Sequence, residues 1–179
     1  MSIWKRFSLV LERIYNKPWE FTGRSFGFEK SFERLLFKEG IIRTPMIGYE
    51  RHPNGSNHFP DFEIHDKRSF LSVELKTTQS NSVHLGQTWI QSDALYIIRY
   101  KPATFQENPF LISFGKDMKS EKDDEYYYSY KYELLKLREK YRGVSENVKI
   151  YPCSALEYRI DKTKKQKNYE IVMEYLKKK

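Results

Sequence analysis

Three residues in the middle of the chain have the types and the spacing for metal-assisted chemistry: Asp61, Glu74 and Lys76. The stretches Phe59 to His65 and Phe70 to Lys76 alternate apolar and polar residues, which is the period of an extended strand. Phe62 and Ile64 on one stretch, and Leu71, Val73 and Leu75 on the other, belong to a core-facing side. Asp61, Glu63 and His65, with Ser72, Glu74 and Lys76, then share the opposite side, where Glu74 and Lys76 stand about 7 Å apart at Cα. Two carboxylates beside one ammonium suit hydrolysis of a phosphodiester. Hard oxygen ligands hold Mg²⁺, an ion that keeps several of its waters and bridges to a phosphate oxygen. The ion lowers the pKa of a bound water and offsets the charge that builds up in the transition state. Lys76 could position the attacking water and contact the phosphate, and the main-chain carbonyl of Leu75 is a further oxygen at the same place. Alternation alone is what any half-solvated hairpin displays, so the conjunction of the three residues carries the reading.

The elements that must position these residues follow from periodicity. Ile3, Phe7, Val10, Leu11 and Ile14 recur at helical spacing, which predicts an N-terminal amphipathic helix. Phe28 to Glu39 predicts a second helix with Phe28, Phe32, Leu35 and Leu36 on its apolar stripe, and Gly40 stands where a C-terminal cap belongs. Ile41 to Tyr49 reads as a strand made irregular by Pro45, and Arg51 to Asn57 as a turn-rich loop. The two central strands are joined by Asp66-Lys67-Arg68-Ser69 as a hairpin. Thr77 to Gln91 reads as a polar segment with a short helix, and Ala94 to Tyr100 and Phe110 to Gly115 as two more strands. Ser120 to Tyr132 reads as a loop running into a helix whose face is Tyr130, Leu134, Leu137 and Tyr141, ended by Gly143. Val148 to Tyr151 suggests a short strand. Tyr169, Val172, Met173 and Leu176 mark a final helix. This order implies an α/β fold with a mixed central β-sheet flanked by helices.

Pro60-Asp61, twelve further residues, then Glu74-Leu75-Lys76 resembles the signature of the PD-(D/E)XK nuclease superfamily. That superfamily includes most type II restriction endonucleases, mismatch-repair nicking endonucleases and archaeal Holliday-junction resolvases. Val73 to Thr77 is also similar to the corresponding strand of the mismatch-repair nicking enzymes. The resemblance implies a restriction-endonuclease-like core over about residues 28–115, with residues 116–179 as a helical and basic extension of a single nuclease domain. It implies Asp61, Glu74 and the Leu75 carbonyl as Mg²⁺ ligands and Lys76 as the catalytic cation. By the same resemblance Glu29, on the helix before the sheet, is an additional metal or water ligand, with Glu33 one turn later competing for that role. The implied activity is site-specific cleavage of double-stranded DNA by a type II restriction enzyme acting as a homodimer, since two strands require two active sites. A repair enzyme of the same superfamily, nicking or junction-resolving, and a DNA-binding module without catalysis are the alternatives.

Other residues offer less. Glu63 shares the side of Asp61 but also suits an exposed strand position. His52, His58, His65 and His84 have no zinc-ligand spacing, and Gln87 and Gln91 could approach DNA or merely be helix polarity. No Gly-rich phosphate loop is present. Asp161 to Lys179 holds seven lysines against three acids, a local net of +4 suited to phosphate contact. Tyr126, Tyr127, Tyr128, Tyr130 and Tyr132 could contact DNA or a second subunit, or pack into the core.

The bulk properties agree with a nucleic-acid partner without requiring one. The chain of 179 residues carries a formal charge of +8, and a basic balance favours a polyanion through counterion release. Its length suits one domain. A single cysteine, Cys153, excludes an internal disulfide and a cysteine-based zinc site. No apolar run approaches the roughly 20 residues that cross a bilayer. The N-terminus begins like a signal peptide, but Glu12 and Arg13 interrupt its apolar stretch, so a cytoplasmic protein is expected.

Overall fold

Helix α1 (Ile3–Asn16) forms because Ile3, Phe7, Val10, Leu11 and Ile14 line one stripe and are all buried. Its start is set by Ser2, whose side chain accepts a hydrogen bond from the Lys5 amide at 3.2 Å, satisfying one of the first-turn donors. Helix α2 (Phe26–Lys38) buries Phe28, Phe32, Leu35 and Leu36. It ends at Gly40, whose φ of 72° is the left-handed conformation that only glycine adopts without strain. The computed structural model describes residues 1–18, 21, 26–55, 58–86, 89–102, 104, 107–140 and 156–179.

The central sheet has five strands: β1 (Gly48–Arg51), β2 (Phe62–Asp66), β3 (Ser69–Thr77), β5 (Leu95–Arg99) and β6 (Phe110–Phe114), hydrogen-bonded in that order. The β3·β5 pair is parallel and the other neighbours are antiparallel, so the sheet is mixed. Helices α1, α2 and α5 (Lys165–Lys177) share a core with one face of this sheet. There Phe62 and Ile64 of β2 and Leu71, Val73 and Leu75 of β3 meet Phe7, Phe32 and Val172. The other face of β5, Tyr96 and Ile98, packs with Val83 and Leu85 of β4 (Ser82–Gly86) and with Ile160. Strand β5 is therefore covered on both sides, which is why Leu95 to Ile98 form an unbroken apolar run rather than an alternating one. Each large side chain sealed in such a core contributes about 1.5–3 kcal/mol of transfer free energy. The α/β class and the mixed, helix-flanked sheet expected from the sequence are observed.

Several local expectations are corrected. Strand β2 begins at Phe62 rather than Phe59, because Pro60 has no amide hydrogen for the ladder. The strand expected over Ile41 to Tyr49 is reduced to an isolated bridge between Arg43 and Tyr49, and β1 starts only at Gly48. Thr77 to Gln91 contains strand β4, paired antiparallel with β7 (Leu156–Arg159), in place of a short helix. Its Val83 and Leu85 are buried while His84 is exposed, so the period is two. A short α3 (Gly115–Met118) follows β6, and α4 (Glu121–Lys140) is a continuous helix that starts before the expected loop would end. The anticipated apolar face of α4 is open: Tyr130 and Leu137 are exposed, and Tyr127 is the one buried member of the tyrosine cluster. Tyr127 stacks on Trp89 with ring centroids 4.5 Å apart. Tyr141, Gly143, the strand expected at Val148 to Tyr151, Cys153 and Gln87 lie outside the described residues. Among the described residues, no helix is long and apolar enough to cross a membrane.

Candidate active site

The β2–β3 hairpin turns through Lys67 and Arg68, and its register pairs Phe62 with Val73. One residue further out, Asp61 comes opposite Glu74. Three hydrogen bonds hold it there. The Asp61 main-chain carbonyl accepts from the His52 amide at 2.8 Å. Its Oδ2 accepts from the Leu75 amide at 2.7 Å, and its own amide donates to Glu74 Oε2 at 3.3 Å. Lys76 Nζ lies 2.6 Å from Glu74 Oε1. The N–H and C=O of one extended residue leave the strand on the same side. Since the Leu75 amide faces Asp61, the Leu75 carbonyl is turned toward that side as well, away from β5.

The electrostatics are unbalanced. Burial raises the Asp61 carboxyl to about 6, and the charge of Glu74 pushes in the same direction, with a smaller push from Glu29. The Leu75 amide and Lys76 oppose the rise without cancelling it. A carboxyl in this position resists ionisation until more positive charge arrives. Glu74 itself is only 7% exposed, so the pair sits where charge is poorly screened.

A cavity of about 240 Å³ opens at this end of the sheet, lined by Phe28, Glu29, Asp61, Leu75, Lys76 and Thr77. Helix α2 thus brings Glu29 to the same space as the hairpin residues. The Glu29 carboxylate is already held by two cationic or polar groups: Arg51 Nη2 at 2.8 Å and His52 Nε2 at 3.1 Å. Glu33 faces elsewhere. It accepts from the Tyr49 hydroxyl at 2.7 Å and from Arg51 Nη1 at 3.3 Å, and lines a separate depression with Lys30, Arg34 and Phe37. One helical turn separates the two acids, and the structure puts only Glu29 at the cavity. Glu63 also lies away from it, 3.6 Å from His65 Nε2, whose other carboxylate neighbour is Glu50 at 3.9 Å. Gln91 is tied back to the Trp89 carbonyl.

Of the oxygen donors here, Asp61, Glu29 and Leu75 belong to residues that line the cavity, and the Glu74 carboxylate stands behind them, bonded to the Asp61 amide and paired with Lys76. Among the described residues, no cluster of three His, Cys, Asp or Glu side chains is gathered as a metal site. Two carboxylates plus a carbonyl still match the donors that Mg²⁺ takes when substrate phosphate and water complete its shell. The Asp61 carboxyl is raised first by burial and then by the charge of Glu74, and a divalent ion bound beside it would favour its ionised form.

Arg51 and His52 escaped the sequence reading. Both fall in a stretch whose residues predict a turn-rich loop, and His52 has no zinc-ligand spacing. His52 has a φ of 49° at the end of β1, an uncommon backbone for a residue with a side chain. That conformation delivers its ring to Glu29 and its amide to the Asp61 carbonyl. A histidine followed by Pro53-Asn54-Gly55 was the only available signal, and it speaks to a turn rather than to a partner. No protein-family model matches the chain, and no curated protein or solved structure matches it.

Proposed function

We propose that this protein is a Mg²⁺-dependent endonuclease that hydrolyses phosphodiester bonds of double-stranded DNA, in the manner of a type II restriction enzyme. One observation carries the reading: Asp61 and Lys76 line one cavity, and the nearly buried Glu74 carboxylate is tied to both, by the Asp61 amide and by the Lys76 ammonium. A fold that holds two anions together with one cation favours the arrival of a second, divalent one. The resemblance of Pro60-Asp61 and Glu74-Leu75-Lys76 to the PD-(D/E)XK signature, and the mixed sheet flanked by helices, support the same reading. The net charge of +8 suits a polyanionic substrate.

Asp61 and Glu74 would hold the ion, with the Leu75 carbonyl beside them. When bound, Mg²⁺ supplies Lewis acidity toward water and toward a phosphate oxygen. Lys76 orients the attacking water and neutralises charge at the scissile phosphate, a position reached because its ammonium already lies against Glu74. The Leu75 amide keeps the Asp61 carboxylate aimed, so that its free rotation is not lost anew at each turnover. Glu29 adds negative charge on the far wall of the cavity, steadied by Arg51 and His52.

The test is incubation of supercoiled plasmid with the protein in Mg²⁺ or Mn²⁺. A few sharp linear fragments support site-specific double-strand cleavage, with a homodimer as the natural agent. A nicked circle as end product, or selective cutting of four-way junctions, moves the assignment to a repair enzyme with the same site. Absence of any cleavage in both metals sinks catalysis and leaves a binding module.

A further inference from the structure

The ends of the parallel strands β3 and β5 frame a second cavity, of about 450 Å³, next to the first. Thr77 lines both. The register pairs Thr77 with Arg99, and the Thr78 amide donates to the Arg99 carbonyl at 2.8 Å, so the two strand ends are fixed to each other. The wall of the second cavity carries Arg99 and Lys101, with Tyr100, Pro102 and Pro109 as its apolar part, and among the described residues it holds no acidic one. Its floor is rigid. Tyr100 is buried, its amide donates to the Pro109 carbonyl at 2.9 Å, and its hydroxyl receives Lys165 Nζ at 2.8 Å while donating to Glu107 at 2.9 Å. Lys162 lies with its ammonium 5.2 Å from the same ring and is paired with Glu107 at 3.2 Å.

From these observations we propose that this cavity binds a backbone phosphate of the nucleic acid adjacent to the phosphate at Lys76. The carboxyl ends of parallel strands are where open α/β sheets receive ligands. Two cations and no carboxylate among the described lining residues favour an anion. Lys76 and Arg99 leave the sheet on opposite faces, but Thr77, level with Arg99 and next to Lys76 in the chain, lines both cavities, so the two basic sites meet around the ends of β3 and β5. An anion held at Arg99 and Lys101 is therefore continuous with one held at Lys76, which a polymer of phosphates satisfies and a lone phosphate does not need. Arginine supplies directional donors, and Lys101, exposed at the rim, supplies a mobile charge. The contact positions the backbone without reading bases. This inference rests on the nucleic-acid part of the functional proposal and not on catalysis.

The experiment measures binding of a fluorescent DNA duplex by anisotropy in EDTA, where no metal contributes and no cleavage occurs. The wild type is compared with Arg99→Gln/Lys101→Gln and with a charge-matched control, Lys67→Gln/Arg68→Gln, whose exposed side chains lie at the turn, the opposite end of β3. Two lost phosphate contacts should lower the slope of log K against log salt by about 1.8 in the first variant, with the slope of the control unchanged. Lys101→Glu, an exposed substitution that cannot disturb the core, keeps the test valid should the double variant unfold; it should weaken binding more than Lys67→Glu does. Equal slopes for wild type and Arg99→Gln/Lys101→Gln, an equal loss in the control, or no duplex binding by the wild type would overturn the proposal. So would displacement of the duplex by inorganic phosphate at matched ionic strength from wild type alone, which would assign the cavity to a free anion. If the binding pattern holds while the wild type fails to cut plasmid in Mg²⁺ or Mn²⁺, catalysis is lost and the phosphate site stands.

Discussion

Two pairs of carboxylates lie a few residues apart in space and are treated in opposite ways. On α2, Glu29 and Glu33 are both engaged by Arg51, and Glu29 also by His52 and Glu33 by Tyr49. At the hairpin, Asp61 and Glu74 have the Leu75 amide and one cation, Lys76, as compensation, and burial still raises the Asp61 carboxyl to about 6. Each pair has one full cation to two acids, but the first is held by hydrogen bonds from Arg51, His52 and Tyr49 and ties α2 to β1. The second is more deeply buried, and burial is the main cause of the raised Asp61 carboxyl. The contrast separates carboxylates that hold the fold from carboxylates that await a ligand: a removed partner should cost stability at Arg51, and a removed charge should cost activity at Asp61 or Glu74.

The largest expected effect is on cleavage. Asp61→Asn, Glu74→Gln and Lys76→Ala should each lower the rate of plasmid cutting in Mg²⁺ by at least about a hundredfold, the lower range of what a positioned proton-transfer or charge-stabilising group contributes. Near wild-type cutting by any of the three would remove that residue from the site.

Next in size is the effect of breaking the satisfied pair. Arg51→Met leaves Glu29 and Glu33 half-buried without their shared cation, and hydrogen bonds to charged groups contribute about 1.5–3 kcal/mol each when partly shielded. A loss of about 2 kcal/mol is expected after allowance for solvent screening, read from urea denaturation. Glu74→Gln, by contrast, gives up the Lys76 pair but relieves repulsion with Asp61, and should cost the metal-free protein less than Arg51→Met does. If Glu74→Gln destabilises as much as Arg51→Met, the two pairs are not different in kind.

A pH series sharpens the same point. Because the Asp61 carboxyl in the folded chain titrates at about 6, above its ordinary value near 3.9, protonation favours the folded state. Its contribution is fully present below about pH 4 and is lost as pH rises through 6. Denaturation midpoints of wild type minus Asp61→Asn, taken in EDTA from pH 4 to 7.5, should therefore fall with pH. Added Mg²⁺ should flatten the fall by compensating the ionised form. A difference that rises with pH would contradict the assignment of the raised group to Asp61.

The smallest effect distinguishes the two acids of α2. Glu29→Gln should slow cleavage more than Glu33→Gln, since only Glu29 lines the cavity and adds to the field at Asp61. Single-turnover rates at saturating protein would decide it, and an equal or larger effect at Glu33 would reverse the order.

Much of this arrangement was legible along the chain. The apolar stripes of α1 and α2 and the alternation of β2 and β3 name their own buried residues, because burial of one face leaves a period that survives in any window of a dozen residues. The pairing of Asp61 with Glu74 was legible for a related reason: a tight turn at Lys67 and Arg68 joins the two strands, so register follows from counting back from the turn. Helix α4 was read less well. Its tyrosines and leucines have helical spacing, yet most of that surface is exposed, since spacing states which residues share a face and not whether anything packs against it.

What the amino-acid sequence determined by itself is therefore local: the helices at both ends, the central hairpin, its core face, and the polar face bearing Asp61, Glu74 and Lys76. Tertiary structure alone decided that Glu29 rather than Glu33 reaches the cavity, that Arg51 and His52 hold it, and that Arg99 stands beside Thr77. Each of these depends on how one element docks on another or on a parallel crossover of many residues. Such docking is fixed by the summed packing of whole faces, and no short-range period records the result.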